Sequence, residues 1–141
     1  MKIEVWSDGS GMTKATPAGY GFVVTVDGVK AYEGNGHIPF GTNNDAELLA
    51  SISGLDSLSS HFIDVSLTDV TLVSDSQIIL NWASGKNDFK QLEKIDKYDK
   101  LMALMKLYCA KTRWVKGHAG NEFNERCDVL ANAGRLQTEL E

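Results

Sequence analysis

Apolar and polar positions alternate from the first residues onward. Ile3, Val5 and Ser7 fall on one side of an extended chain and Glu4, Trp6 and Asp8 on the other, a period of two that predicts a strand over 1–8. A looser stretch follows to residue 18. Residues 22–26 and 29–32 are then two apolar runs separated by Asp27-Gly28, a strong short signal for a hairpin. Three sequential antiparallel strands are expected to open the protein.

The period then changes. Thr42 and Asp45 stand at capping-box spacing, and Leu48, Ile52, Leu55 and Leu58 follow at helical steps until Ser59-Ser60. Residues 70–73 form a short apolar run suited to a central strand. Residues 76–83 read as a short helix closed by Ser84-Gly85. Ile95, Tyr98, Met102, Met105 and Cys109 give a longer amphipathic helix, its stripe read as core packing. A last strand is expected over 112–115. A last helix follows over 121–134, with Phe123, Cys127, Leu130 and Ala131 inward. This order predicts an α/β fold, a five-stranded mixed sheet with three antiparallel strands first and helices on its faces. No repeat, linker or low-complexity tract divides the chain, so one domain over 1–141 is expected.

Composition narrows the class. With 141 residues, 43% hydrophobic and 23% charged, the chain is neither disordered nor a coiled coil. No apolar run approaches the ~20 residues of a membrane span, and the N-terminal strand lacks the apolar stretch of a signal peptide. Two cysteines, Cys109 and Cys127, have neither a disulfide framework nor metal-ligand spacing, so a cytoplasmic, reduced protein is expected. The net charge of −5 argues against a sequence-blind nucleic-acid binder, which is normally basic. Lys86, Lys90 and Lys94, with Phe89 among them, are the compact basic cluster.

Four carboxylates are placed unusually. Asp8 ends the first strand and Asp75 the fourth, where functional groups of an open α/β sheet gather. Glu47 sits between Ala46 and Leu48, one turn into the first long helix. Asp128 follows Asn124 by one turn, so both project from one helix face. Close carboxylates repel unless one keeps a proton or a divalent cation neutralises them. Oxygen ligands without a Cys or His pattern point to Mg²⁺ or Mn²⁺ over zinc. On spacing alone, Asp8 and Asp75 are better read as turn residues at strand ends than as metal ligands.

The motifs together carry a resemblance. Asp8-Gly9-Ser10 leading to Gly19-Tyr20-Gly21, then Thr42-Asn43-Asn44-Asp45-Ala46-Glu47-Leu48, Ser74-Asp75-Ser76-Gln77, and the pair Trp114-Val115-Lys116-Gly117-His118-Ala119-Gly120 and Asn124-Glu125-Arg126-Cys127-Asp128 occur in one order. In these elements the chain resembles type 1 ribonuclease H, from Lys2 to about Arg135. Each element is weak alone; four in order are specific.

The resemblance implies an endonuclease that cleaves the RNA strand of an RNA–DNA hybrid with two Mg²⁺ ions, for which Mn²⁺ is expected to substitute. Asp8 and Asp128 would bind one ion and Asp8, Glu47 and Asp75 the other. His118, in a loop of small residues, would shuttle a proton or assist product release. Ser10 and Gly11 would meet the RNA strand through the backbone. Asn43, Asn44 and Gln77 carry amides suited to a 2′-hydroxyl and a minor-groove base edge. Thr42 suits a DNA-strand phosphate at a helix start, although capping alone accounts for Thr42 and Asn43. Asn124 completes the expected substrate contacts. Trp82 reads equally as a stacking residue or as core, and His37 and His61 as structural or exposed.

Two departures stand out. Phe40 occupies a position where several members carry an Arg for a phosphate pocket, and residues 84–93 are too few for the long basic protrusion of some bacterial members. No hybrid-binding domain is expected before Met1, and a monomer is expected. A non-catalytic binding module of the same fold, or another nuclease of the integrase or resolvase type, is the rival reading.

Overall fold

A computed structural model describes residues 1–62, 69–86 and 95–140. Five strands form one sheet: β1 (Ile3–Ser10), β2 (Ala18–Val26), β3 (Val29–Ile38), β4 (Val70–Ser74) and β5 (Lys111–Trp114). Their order across the sheet is β3-β2-β1-β4-β5. β1 pairs antiparallel with β2 and parallel with β4, and β4 runs parallel to β5. The expected mixed sheet is the observed one. Asp27 and Gly28 turn the β2–β3 hairpin with φ of 50° and 84°, a conformation that favours glycine.

The period of two divides the core between the sheet faces. Ile3, Val5, Val24 and Leu72 face the cluster formed with α1 (Asn43–Asp56), α3 (Gln77–Ala83) and α4 (Ile95–Leu107). Trp6, Val23 and Val73 face the opposite way, against Cys127 and Leu130 of α5 (Glu122–Leu136). Glu4 is buried on this second face, and its charge is met by Arg113, whose guanidinium lies over the Trp6 ring, and by the Thr25 hydroxyl.

Small residues let α5 lie close to the sheet. A Cβ at Gly21 would come within 2.8 Å of the Cys127 carbonyl oxygen, so a larger residue would lift the helix that carries Asp128. At the other end of the site, Thr42 and Asp45 form a reciprocal capping box that starts α1.

Two local expectations differ, and the open reading of Trp82 is decided. The helix expected to run to Ser59-Ser60 ends at Asp56, where the Ser57 N–H bonds to the carbonyls of Ser53 and Leu55; a separate turn, α2 (Leu58–His61), keeps Leu58 buried. On α4 the buried positions are Leu101, Leu104 and Met105, joined by Tyr108 beyond its end. Cys109 lies outside the helix, exposed, with φ of 47°. Two overlapping apolar stripes run along this segment: Met105 and half-buried Tyr98 pack on the core as expected, and Leu101 and Leu104 join them in place of Cys109. Trp82 is only 7% exposed, so its ring packs in the core and does not face a substrate.

Candidate active site

Parallel pairing of β1 and β4, with Trp6 opposite Val73, brings their carboxyl ends side by side. Asp8 and Asp75 therefore stand at neighbouring strand ends. Above them the first turns of α1 deliver Glu47, held against the sheet beside buried Ala46 and Leu48. Asp8, Glu47 and Asp75 each offer a carboxylate oxygen, and these atoms lie within 4.8 Å of one another. Together with Asp128, His118, Asn43 and residues Gly9 to Gly11 they line an open cleft of about 310 Å³.

The electrostatics of this cluster are unfavourable as it stands. Asp8 and Glu47 are each only 6% exposed, yet no Lys or Arg lines the cleft among the described residues. Burial, then the negative charges of Asp75 and Glu47, pushes the Asp8 carboxyl from 3.8 up to about 8, against the opposing hydrogen bond from the Gly9 N–H at 2.9 Å. Burial likewise lifts Glu47 from 4.5 to about 7, assisted by Asp75 and opposed by hydrogen bonds from Ser76 and Asn43. A hard divalent cation is the counter-charge such an all-oxygen donor set fits.

Asp75 is held on three sides. The Trp114 indole Nε1 donates to its carbonyl oxygen at 3.0 Å, and Asn124 Nδ2 donates to Oδ2 at 3.3 Å. A Cβ on Gly117 would lie 2.8 Å from Oδ2, so glycine there lets the His118 loop approach. His118 itself sits at φ of 54° and is exposed, its loop turning back through Gly120 at φ of 84°.

The cleft thus collects Asp8, Glu47, Asp75, Asp128, His118, Ser10, Gly11 and Asn43. Thr42 lies beside it with its hydroxyl committed to the capping box with Asp45. Asn44 is half-buried in the first turn of α1, outside the cleft lining. Gln77 lines a separate hollow of about 220 Å³ with Asn81, Lys86 and Trp114. Asn124 is buried and spends its amide on Asp75. Phe40 is 70% exposed on the loop between β3 and α1. Lys86 is exposed, whereas Phe89, Lys90 and Lys94 lie outside the described residues, as does most of the segment expected to lack a protrusion. His37 Nδ1 is 2.9 Å from the Gly134 carbonyl oxygen, and the His61 ring stacks on Tyr32. Sequence reasoning missed Ser76, Trp114, Asn132 and Arg135. Ser76 and Trp114 stand inside the quoted motifs, and Asn132 lies one helical turn beyond Asp128; Arg135 alone of the four carried no such signal.

The family model for RNase H matches residues 1–135. The chain belongs to the RNase H family. Ribonuclease H of Escherichia coli is 34% identical over 145 residues, which covers 99% of this chain and 93% of that protein, and the Escherichia fergusonii ribonuclease H is equally similar. Among solved structures, the RNase H domain from Mycobacterium tuberculosis has a TM-score of 0.82 at 27% identity, covering 96% of this chain and 94% of that one. LC11-RNase H1 in complex with an RNA/DNA hybrid has a TM-score of 0.84 at 25% identity, covering 96% and 98%. In this RNase H-family chain the carboxylate cleft opens at the β1 and β4 ends.

Proposed function

We propose that this protein is an endonuclease that hydrolyses the RNA strand of RNA–DNA hybrids with two Mg²⁺ ions, leaving 5′-phosphate and 3′-hydroxyl ends. The observation that carries the reading is the meeting of Asp8, Glu47 and Asp75 in one acidic cleft of an RNase H-family chain. The hybrid bound to LC11-RNase H1 supports the substrate class. Asp8, Glu47 and Asp75 would hold one cation, and Asp8 with Asp128 the other. When bound, such ions supply a hydroxide nucleophile at neutral pH and neutralise charge on the leaving 3′ oxygen.

The remaining chemistry belongs to side chains. Asp8 is suited to bridging because it is buried and already faces both neighbouring carboxylates. Asn124 and Trp114 keep Asp75 in place. His118, exposed at the rim on a turn of small residues, moves a proton or helps release product. Asn43, Asn44 and Gln77 read the 2′-hydroxyl and the minor-groove edge, and the Ser10–Gly11 backbone meets the RNA strand. Thr42 takes a DNA-strand phosphate. A monomer with one domain over 1–141, acting in the cytoplasm, belongs to the same proposal. Free Cys109 and Cys127 are compatible with a reducing compartment, and no helix among the described residues is long and apolar enough to cross a membrane.

The test is Asp75→Asn, which keeps shape and removes charge. Cleavage should fall by more than the roughly 10²–10⁴-fold typical of a lost general acid or base, while hybrid binding and fold persist. Near-wild-type turnover would remove Asp75 from the site and the proposal with it.

A further inference from the structure

Asp128 lines the cleft but lies outside the tight cluster of three carboxylates, and a chain of hydrogen bonds reaches it from the far end of α5. Arg135 Nε donates to Ser10 Oγ at 2.9 Å, and Ser10 Oγ donates to Asn132 Oδ1 at 2.8 Å. Arg135 Nη2 reaches the same Asn132 oxygen at 3.4 Å. Asn132 Nδ2 then donates to Asp128 Oδ1 at 3.3 Å and to the Asp128 carbonyl oxygen at 3.0 Å.

Donor chemistry gives this chain a direction. A guanidinium only donates, so Ser10 Oγ accepts from it and directs its own proton to Asn132 Oδ1. With the amide oxygen so engaged, the NH₂ group is the end turned to the carboxylate. Ser10 is two residues beyond Asp8 on β1, so the chain ties the strand end bearing one carboxylate to the helix bearing another. Asp128 is half-buried. A side chain held in place loses less freedom when it takes up a cation than one that must be ordered then.

We propose that Arg135, Ser10 and Asn132 form a positioning relay that orients the Asp128 carboxylate for cation binding. In this relay the three side chains act only through Asp128, while the Ser10 backbone keeps its proposed contact with the RNA strand. The relay rests on the reading of Asp128 as a cation ligand.

The experiment measures Mn²⁺ uptake by the full chain calorimetrically, together with the Mg²⁺ concentration giving half-maximal cleavage at saturating hybrid. Asn132→Ala and Arg135→Met should raise both by about three- to tenfold, the range of a lost hydrogen bond, with little change in KM for the hybrid at saturating Mg²⁺. Arg135→Lys keeps a donor for Ser10 and should recover most of the loss. Melting in EDTA reports each variant's stability. Should Asn132→Ala melt too early, Ser10→Ala breaks the relay without altering α5 and must shift the metal dependence in the same direction. Variants with wild-type Mn²⁺ uptake and Mg²⁺ dependence would overturn the relay alone, as would a loss in Arg135→Lys equal to that in Arg135→Met. A wild-type chain that takes up no Mn²⁺ would overturn the ligand reading, and the relay with it.

Discussion

Replacing Asp8 by asparagine should stabilise the cation-free protein, by an amount that grows with pH. The Asp8 carboxyl titrates at about 8 in the fold against an ordinary value of 3.8, because burial and the charges of Asp75 and Glu47 oppose its ionisation. Its folded value is raised, so the stability it contributes is complete below the unfolded value and is lost as pH climbs toward the folded one. Between pH 5 and pH 7 the unfolded chain holds this carboxyl ionised while the folded chain keeps it protonated. Each pH unit then costs about 1.4 kcal/mol, or about 2.8 kcal/mol across the window. Glu47, raised to about 7, acts in the same direction in the wild type. Glu33 is pulled down to about 2, chiefly by its hydrogen bond from Arg126, and its pH dependence lies below this window. An asparagine does not titrate, so the stability gap between Asp8→Asn and wild type should widen from pH 5 to pH 7 by roughly 6–11 °C in melting temperature. The assay is thermal unfolding of both proteins in EDTA at the two pH values. Adding Mg²⁺ or Mn²⁺ should narrow the gap at pH 7, since a cation bound to the folded wild type stabilises it by mass action. A gap independent of pH, or a variant less stable than wild type at pH 7 in EDTA, would refute the reasoning.

Two further outcomes follow from the site. His118→Ala should slow turnover by about 10²-fold and flatten the rate–pH profile without silencing the enzyme. Because His118 sits at a positive φ, His118→Asn is the cleaner variant, and loss as complete as in Asp75→Asn would make the histidine essential. With a net charge of −5 and Phe40 in place of a phosphate-binding cation, hybrid binding should be weak, with a slope of log affinity against log salt built from few contacts of about 0.7–0.9 each. Neutralising Lys86, Lys90 and Lys94 together should weaken binding and spare the chemical step at saturation. A steep slope with nanomolar affinity in the absence of metal would show a basic surface beyond that cluster.

The fold was largely legible because its signals are local. Alternation in β1, Asp27-Gly28 in the hairpin and the Thr42–Asp45 capping box each identify an element from a few adjacent residues. Strand-end carboxylates were legible too, although spacing alone left Asp8 and Asp75 as possible turn residues. Their convergence with Glu47 depends on β1 and β4 pairing in parallel, a long-range fact. The α4 stripe is legible only in part, because two apolar faces overlap there: Tyr98 and Met105 pack inward as expected, while only packing assigns Leu101 and Leu104 to the core. The roles of Ser76, Trp114 and Arg135 were not legible, since each acts on a partner distant in the chain: Ser76 on Glu47, Trp114 on Asp75, and Arg135 on Ser10.

The central claim is hydrolysis of RNA only when it is paired with DNA. It is tested most directly by incubating the protein with Mg²⁺ and end-labelled duplexes of one sequence, made as RNA–DNA, RNA–RNA and DNA–DNA. The account predicts internal cuts in the RNA strand of the hybrid, ending in 5′-phosphate and 3′-hydroxyl, with the DNA strand and both other duplexes intact and all cutting abolished by EDTA. Cutting of the DNA strand, equal cutting of RNA–RNA, or cleavage that persists in EDTA would contradict it.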